Sequence, residues 1–382
     1  MFNYIIIGAG FSGSVIAERI ANVLNQKVLI IEKRNHIGGN CYDYKDENNI
    51  IIHKYGPHLF HTDYKDVFDY LSNFTEWQLY HHRVLAFIDG KKVPIPFNLN
   101  TLYEVFPKTL AEKLETKLLN KYNYNSKIPI LELLREEDDD LKFLANFIYE
   151  KVFKNYTAKQ WGLKPEDIDP QVTARVPIYI SRDNRYFTDK YQAIPKEGYT
   201  KIFERMLNHP NIKIMLNTDF KELINIDYEN KKIYFTKQEY KGKLIFTGMI
   251  DELFNFKYGY LPYRSLELKF ESMDQEYYQE APVVNYPNDY DFTRITEFKH
   301  IHPIKSDKTT ILKEYPKAYQ PNVDIPYYPV FTKENQELYN KYREEVDKFE
   351  SLILIGRLAD YRYYDMDDVV KRALEVFEKR VR

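Results

Sequence analysis

The chain has 382 residues, enough for a large buried core and more than one domain. With 44% hydrophobic and 29% charged residues it has the composition of an ordinary soluble protein, and a formal net charge of -2 gives no global attraction to nucleic acid or to an anionic membrane. Cys41 is the only cysteine, which excludes an intrachain disulfide and a cysteine-built metal centre and fits a reducing, cytoplasmic setting.

Residues 4–7 (YIII) are predicted as a strand, since the run is too short for a secretory leader and glycines follow at once. The loop GAGFSG spans Gly8–Gly13, a helix is predicted over Ser14–Leu24, and VLII at Val28–Ile31 gives a second strand ending at Glu32. EKRNHIGGNCY continues without helical period. Residues 100–153 are mostly helical in pattern, with the acidic run Glu136–Asp140 as a solvated helix start or loop. Pro165, Pro170 and Pro177 predict an exposed, mobile loop over Gly162–Val176. Strand-like pieces follow in VPIYI, RYFTD, IKIML, KIYF and LIFTG, with Lys243–Gly248 expected to return to the first sheet. Residues 260–330 mix short strands and prolines, as a separate sheet would. The end of the chain reads as strand, loop and helix, in which Val369, Val370, Ala373, Leu374 and Phe377 share one face. No segment approaches the length of a membrane-spanning helix.

This order predicts an α/β fold. A discontinuous Rossmann-like domain takes residues 1–75, 192–255 and 345–382, a helical domain residues 100–165, and an antiparallel sheet domain residues 76–99, 166–191 and 256–344.

The first βαβ unit has the makings of a dinucleotide site. Gly8 allows the tight turn, Gly10 lets backbone approach a pyrophosphate, and Gly13 lets helix pack closely on strand. The helix start supplies unpaired N–H groups, and Glu32 stands where a carboxylate accepts from ribose hydroxyls. The continuation Lys33, Arg34, Gly38-Gly39 resembles FAD-binding proteins more than nicotinamide dehydrogenases, with Arg34 placed to cover adenine or to reach a phosphate. Near the C-terminus Gly356-Arg357 lets the backbone pass close to a cofactor. Asp365 is a predicted N-cap whose helix would direct its positive end at a reduced flavin.

Together GAGFSG, EKRNHIGGN, HKYGPHLFHT, YTAKQWG, TARVP, NRYF, FTRITE, KEYP, PYYP and GRLADYRYYDM resemble the bacterial UDP-galactopyranose mutase family, in family order and over nearly the whole chain. The resemblance implies an FAD enzyme, active when reduced, that interconverts pyranose and furanose forms of a UDP-sugar for surface polysaccharide, with no net redox change. Flavin N5 serves as nucleophile and UDP leaves and returns. It implies a homodimer and a cellular reductant such as NAD(P)H. Arg175 and Arg294 match the family's diphosphate arginines, and guanidinium suits phosphate because its planar fork donates two bonds. Tyr186, Tyr328 and Tyr363 match positions near the diphosphate, and Tyr156 and Thr157 match the uridine-binding pair. Trp161 is placed on the mobile loop, which is expected to close over substrate. His58 matches the histidine beside the flavin, where its imidazole or nearby backbone would adjust N5 protonation, and the catalytic residues implied are Arg175, Arg294 and His58. The cofactor contacts implied are Gly8, Gly10, Phe11, Ser12, Gly13, Glu32, Lys33, Arg34, Gly39, Asn40, His58, Arg264, Gly356, Arg357, Tyr363, Asp365 and Met366. No metal site is expected.

One departure bears on the sugar. The family pattern has Asn before Arg-Val, whereas this chain has His81-His82-Arg83-Val84, so His82 stands near substrate with a bulkier group that ordinarily titrates near neutral pH. That leaves UDP-N-acetylgalactosamine, UDP-arabinose and dTDP-fucose as alternatives to UDP-galactose. Two other classes remain as rivals. One is an amine-oxidase-like FAD oxidoreductase and the other a non-catalytic FAD-binding protein.

Overall fold

The structure is a computed structural model that describes residues 2–163 and 177–382. Arg175 and all but the first two residues of the predicted loop Gly162–Val176 lie outside the described residues.

Five parallel strands form the first sheet, in the order Ile212–Met215, Val28–Ile31, Tyr4–Ile7, Lys243–Phe246, Leu352–Leu354. Tyr4 stands opposite both Val28 and Lys243, so the segment predicted to return to this sheet does so beside the first strand. These strands are near-continuous apolar runs because both faces are covered. One face packs on the helices Phe11–Val23, Tyr199–Leu207 and Met366–Val376, with Val15, Ile20, Phe203, Val370 and Ala373 in the core. The other packs on the hairpin Ile224–Asp227/Lys232–Phe235 and the helix Lys333–Val346. Each fully buried aliphatic side chain here is worth about 1.5–3 kcal/mol. The first helix begins at Phe11, three residues before the predicted Ser14, because the glycine turn runs straight into it and Ser14 N already donates to Gly10 O at 2.9 Å.

The second sheet has seven strands, in the order Tyr328–Pro329, Tyr263–Met273, Thr309–Ala318, Arg294–Glu297, Val283–Asn285, Val84–Ile88, Lys91–Ile95. Its neighbours are antiparallel except that Val283–Asn285 runs parallel to Val84–Ile88. A parallel pair needs a long crossover, and the helices between residues 99 and 161 lie in that connection. These helices cover one side of the sheet through Leu102, Leu114, Leu144 and Ile148.

Asp138 caps the helix Asp139–Ile148, accepting from Asp140 N and Leu141 N, so the acidic run does open a helix. Its Glu136, however, is buried against Lys121 and Tyr122 rather than solvated. RYFTD is not a strand. Asp183 accepts from Arg185 N at 2.9 Å and turns the chain there, and Tyr186 N donates to His82 O at 2.8 Å. The helix after Ile148 widens through one π-helical stretch, Tyr149–Phe153, before Lys154–Trp161. Such widened turns re-aim the residues beyond them and are frequent at functional sites. Trp161 is the last residue of this helix, not a loop residue, because Gly162 closes it in a left-handed conformation (φ 68°). No helix among the described residues is long and apolar enough to cross a membrane.

Candidate active site

Two cavities meet between the sheets. The first, of about 1270 Å³, runs along the C-terminal ends of the parallel strands, where ligands of such sheets bind. Gly8, Gly10, Phe11, Ser12, Glu32, Lys33, Arg34, Gly39, Asn40, His58, Gly356, Arg357, Asp365 and Met366 line it. A Cβ on Gly13 would lie 2.1 Å from Gly8 O, so that glycine sets the helix-to-strand packing without touching the cavity. Gly39 approaches Gly10 so closely that a Cβ on it would sit 2.8 Å from Gly10 Cα.

The residues present fit a dinucleotide. The N-terminus of helix Phe11–Val23 opens with glycine and no side-chain cap, leaving N–H groups for phosphate oxygens. Glu32 is buried, with its two oxygens accepting from Ala9 N and Arg34 N, each at 2.9 Å, and each keeps a lone pair for a hydroxyl. Arg34 lies 4.2 Å over the Tyr55 ring and donates to Asn40 Oδ1, while its buried Nη1 has no hydrogen-bond partner among the described residues. Asp365 caps helix Met366–Val376 through a capping box with Asp368. Arg264 stands apart from this cavity. Its guanidinium donates to Lys159 O and Gln160 O and so closes the end of the helix carrying Tyr156 and Trp161.

The second cavity, of about 1470 Å³, shares Asn40, His58, Tyr327, Arg357, Asp365 and Met366 with the first. The structure gathers here Tyr156, Trp161, Tyr186, Arg294, Tyr328, Tyr363 and His82, drawn from distant parts of the sequence. Tyr328 and Tyr363 stack at 5.3 Å, and Arg357 lies about 5 Å over both rings while holding Tyr364 O. Thr157 lines a smaller adjoining pocket of about 620 Å³, with Ala86, Ile95, Phe153 and Tyr156.

Arg294 Nε donates to Glu314 Oε1 at 2.7 Å. Burial opposes its charge, but Glu314 and the nearby Tyr156 and Tyr328 outweigh that and raise its pKa, so it stays cationic. The remaining guanidinium nitrogens have no hydrogen-bond partner among the described residues. Burial pushes the Tyr156 phenol up, keeping it a neutral donor. The same cause, helped by Arg294, pushes His58 down to about 4 and His82 to about 3. The expected titration of His82 near neutrality is therefore corrected. The ring is buried, accepts or donates one bond with Tyr80 Oη at 3.0 Å, and stays uncharged.

Glu314, Phe187 and His61 belong to this cavity's surroundings, and no residue-level pattern assigned them a role. Glu314 sits in KEYP, where a carboxylate on the inward side of an otherwise buried strand was a usable signal. Phe187 stacks on His61, with ring centroids 3.6 Å apart, and its centroid lies 5.9 Å from that of His82, contacts no local pattern announces.

A parallel dinucleotide-binding sheet whose cofactor cleft opens into a cationic, tyrosine-rich cavity has the fold and site of a flavoenzyme. Residues 6–74 match the NAD(P)-binding Rossmann-like domain, and residues 151–363 match the model for UDP-galactopyranose mutase. The chain is 37% identical to the dTDP-fucopyranose mutase of Escherichia coli, with 98% of this chain and 97% of that protein covered. It is also 37% identical to the UDP-galactopyranose mutase of Mycoplasma genitalium, covering 97% and 92%. A crystal structure of reduced UDP-galactopyranose mutase superposes with a TM-score of 0.73 at 17% identity, covering 99% and 93% of the two chains. A cyclohexylamine oxidase from Brevibacterium oxydans reaches 0.59 at 12%, covering 100% of each, which speaks for the fold alone. The chain belongs to the UDP-galactopyranose mutase family. It is an isomerase with FAD as its cofactor.

Proposed function

We propose that this enzyme interconverts UDP-galactopyranose and UDP-galactofuranose with its flavin reduced and without net redox change. The observation that carries the reading is the junction of the two cavities, whose shared wall includes His58, Arg357 and Asp365. A reacting sugar there meets the cofactor on one side while its diphosphate reaches Arg294 on the other. When bound, reduced FAD supplies an electron-rich nitrogen able to attack an anomeric carbon.

The protein's part is electrostatic and positional. Arg294, held cationic by Glu314, faces the diphosphate that must leave with its charge and return, and Arg175 is assigned the same task. Tyr186, Tyr328 and Tyr363 donate to phosphate oxygens. Tyr156 and Thr157 bound the adjoining pocket for the base, and the apolar walls of Ile95 and Phe153 exclude water from it. Neutral His58 offers a hydrogen-bond acceptor at the cavity junction. The cofactor residues are those of the first cavity together with Gly13, which holds its loop. The product serves surface polysaccharide, the enzyme works in the cytoplasm as a homodimer, and NAD(P)H is the reductant.

The experiment is turnover with UDP-galactose, UDP-N-acetylgalactosamine, UDP-arabinose and dTDP-fucose, with and without dithionite, separating ring forms by chromatography. Furanose formed only after reduction supports the mutase. Bound, reducible FAD with no ring-form change for any sugar would replace it with the oxidoreductase reading.

A second sugar has a specific observation behind it. The relative from Escherichia coli named dTDP-fucopyranose mutase is as similar as the named UDP-galactopyranose mutase, and His82 with Phe187 makes a bulky, uncharged wall. A preference for dTDP-fucose in the panel that reverts with His82→Asn would make that the substrate.

A further inference from the structure

Behind His58 lie two buried histidines. His53 ends the strand Ile51–His53 with no exposure, edge-on to Tyr199 and packed against Phe298. His302 follows the turn Phe298–His300 and is 8% exposed. Three contacts link them to the cavity wall. His58 N donates to His53 Nδ1 at 2.9 Å, His53 Nε2 lies 3.0 Å from His302 Nε2, and His58 Nδ1 lies 2.9 Å from Gly56 O.

Hydrogen-bond chemistry fixes where each proton sits. A carbonyl oxygen only accepts, so His58 Nδ1 carries the proton and its Nε2 is a lone pair. A backbone N–H only donates, so His53 Nδ1 is the lone pair and its Nε2 carries the proton. That proton then requires a lone pair on His302 Nε2, leaving the His302 proton on Nδ1. Every neutral tautomer in the chain follows from a backbone group at one end.

The same cluster has the look of a metal centre, since Asp43, His53 and His302 offer ligand atoms within 4.8 Å of one another. The tautomer of His53 speaks against it. A metal would need the Nε2 lone pair, and the neutral ring has already given its other lone pair to His58 N. Asp43 is also engaged, accepting from Tyr199 N and Thr200 N at the start of helix Tyr199–Leu207.

We propose that His53 and His302 are positioning residues, a two-imidazole hydrogen-bond chain that pins the Gly56–Pro57–His58 turn and presents the His58 ring to the cavity junction as an acceptor only. Burial keeps all three rings neutral, with His58 and His302 each pushed down to about 4 and His53 pushed well below its ordinary range, so the chain acts through tautomers rather than charge. The kinetic part of the test rests on the mutase reading, whereas the spectroscopic part does not.

The spectroscopic test is 15N NMR of the FAD-loaded enzyme with 15N-labelled histidine. Three resonance pairs are expected with Nε2–H for His53 and Nδ1–H for His58 and His302. A protonated Nδ1 on His53, or a stoichiometric transition metal in the purified protein that is lost in His302→Leu, would overturn the proposal. In the holoenzyme His302→Leu should lower kcat about tenfold, the size of one buried hydrogen bond, with KM for the nucleotide sugar within about twofold. His302→Gln, whose amide oxygen accepts from His53, should restore most of it. Equal kcat in the two variants would refute the chain. Should His302→Leu not fold, His53→Gln serves instead, since its amide can accept from His58 N and donate to His302. It should keep Nδ1–H on His58 and most of kcat, and loss of that tautomer in it would count against the proposal. Absence of mutase turnover with the three tautomers as assigned would sink the proposed function and leave the chain standing.

Discussion

The cofactor cavity and the substrate cavity share a wall but are built on different principles. The first has a phosphate-facing end built on glycine backbone, with Gly8, Gly10 and Gly39 beside a helix N-terminus and Gly356 against Ser12. The second is made of side chains from separate segments, among them His58, His82, Tyr156, Tyr186, Arg294 and Tyr363. A backbone cavity tolerates substitution wherever no Cβ intrudes. A side-chain cavity depends on each pair that holds its polar groups in place.

The Arg294–Glu314 pair puts the sharpest test on that difference. Arg294→Ala should keep its yellow FAD and lose roughly 10²–10³-fold in kcat, the usual loss for one preorganised electrostatic contact. It also leaves Glu314, 1% exposed, buried without its cation, at a cost of about 3–5 kcal/mol. The double variant Arg294→Ala/Glu314→Gln should therefore recover Tm without recovering turnover. Wild-type turnover in the single variant would remove Arg294 from the reaction, and a double variant as unstable as the single would show that the pair is not what holds this wall.

The opposite behaviour is expected of Gly13→Ala. A methyl 2.1 Å from Gly8 O forces helix and loop apart, and overpacking of this kind costs about 1–3 kcal/mol. The purified variant should be colourless or FAD-depleted with a lowered Tm, read from the flavin-to-protein absorbance ratio and a thermal melt. Full FAD content would mean that the loop does not need its close packing to hold the cofactor.

The same contrast explains what could be read from the sequence. The cofactor loop is contiguous, so glycine spacing, the strand before it and Glu32 after it exposed the βαβ unit directly, and the N-cap of the C-terminal helix was legible from Asp365 and the apolar period beyond. The substrate cavity is legible only through family resemblance, because nothing in the sequence near Arg294 indicates Tyr156 or His58 as neighbours. Glu314 has a signal only in its place on the inward side of its strand, which does not name Arg294 as its partner, and Phe187 lies in RYFTD, whose β-rich composition pointed to a strand that the Asp183 turn prevents. Arg264 matched the resemblance, yet its position was decided by the carbonyls at a helix end, a long-range packing outcome. The parallel pairing of Val283–Asn285 with Val84–Ile88 had no local signal either.

A smaller effect separates charge from capping at the shared wall. Asp365→Ala removes the N-cap of helix Met366–Val376 and should cost about 1 kcal/mol of stability. Asp365→Asn keeps an accepting oxygen and should melt with the wild type. Equal losses in both would show that the carboxylate charge, rather than the cap, stabilises this end.

The smallest effect expected is one of sign, and it divides the histidines of the substrate cavity. His58 and His82 stay neutral in the folded chain above about pH 5, since burial holds them at about 4 and about 3, whereas the unfolded chain protonates them at about 6.5, so each makes stability rise with pH up to about that value and His82→Asn should weaken the rise. His61 differs. Burial works against its charge, but Asp189, 3.2 Å away, outweighs this and raises its pKa. Burial also raises Asp367 from 3.8 to about 6 against the pull of Thr62. Both groups bind protons more tightly in the folded chain than in the unfolded one. The stability His61 contributes is present below its unfolded pKa and lost as pH climbs through the higher folded value, and that tied to protonated Asp367 is lost between about 4 and 6. Between about 4 and 6 Asp367 therefore opposes the rise that the buried neutral histidines impose on Tm, so Asp367→Asn should steepen the rise with pH while His82→Asn should make it shallower. A rise that becomes shallower in Asp367→Asn and steeper in His82→Asn would reverse the assignment of which side of the cavity wall senses pH.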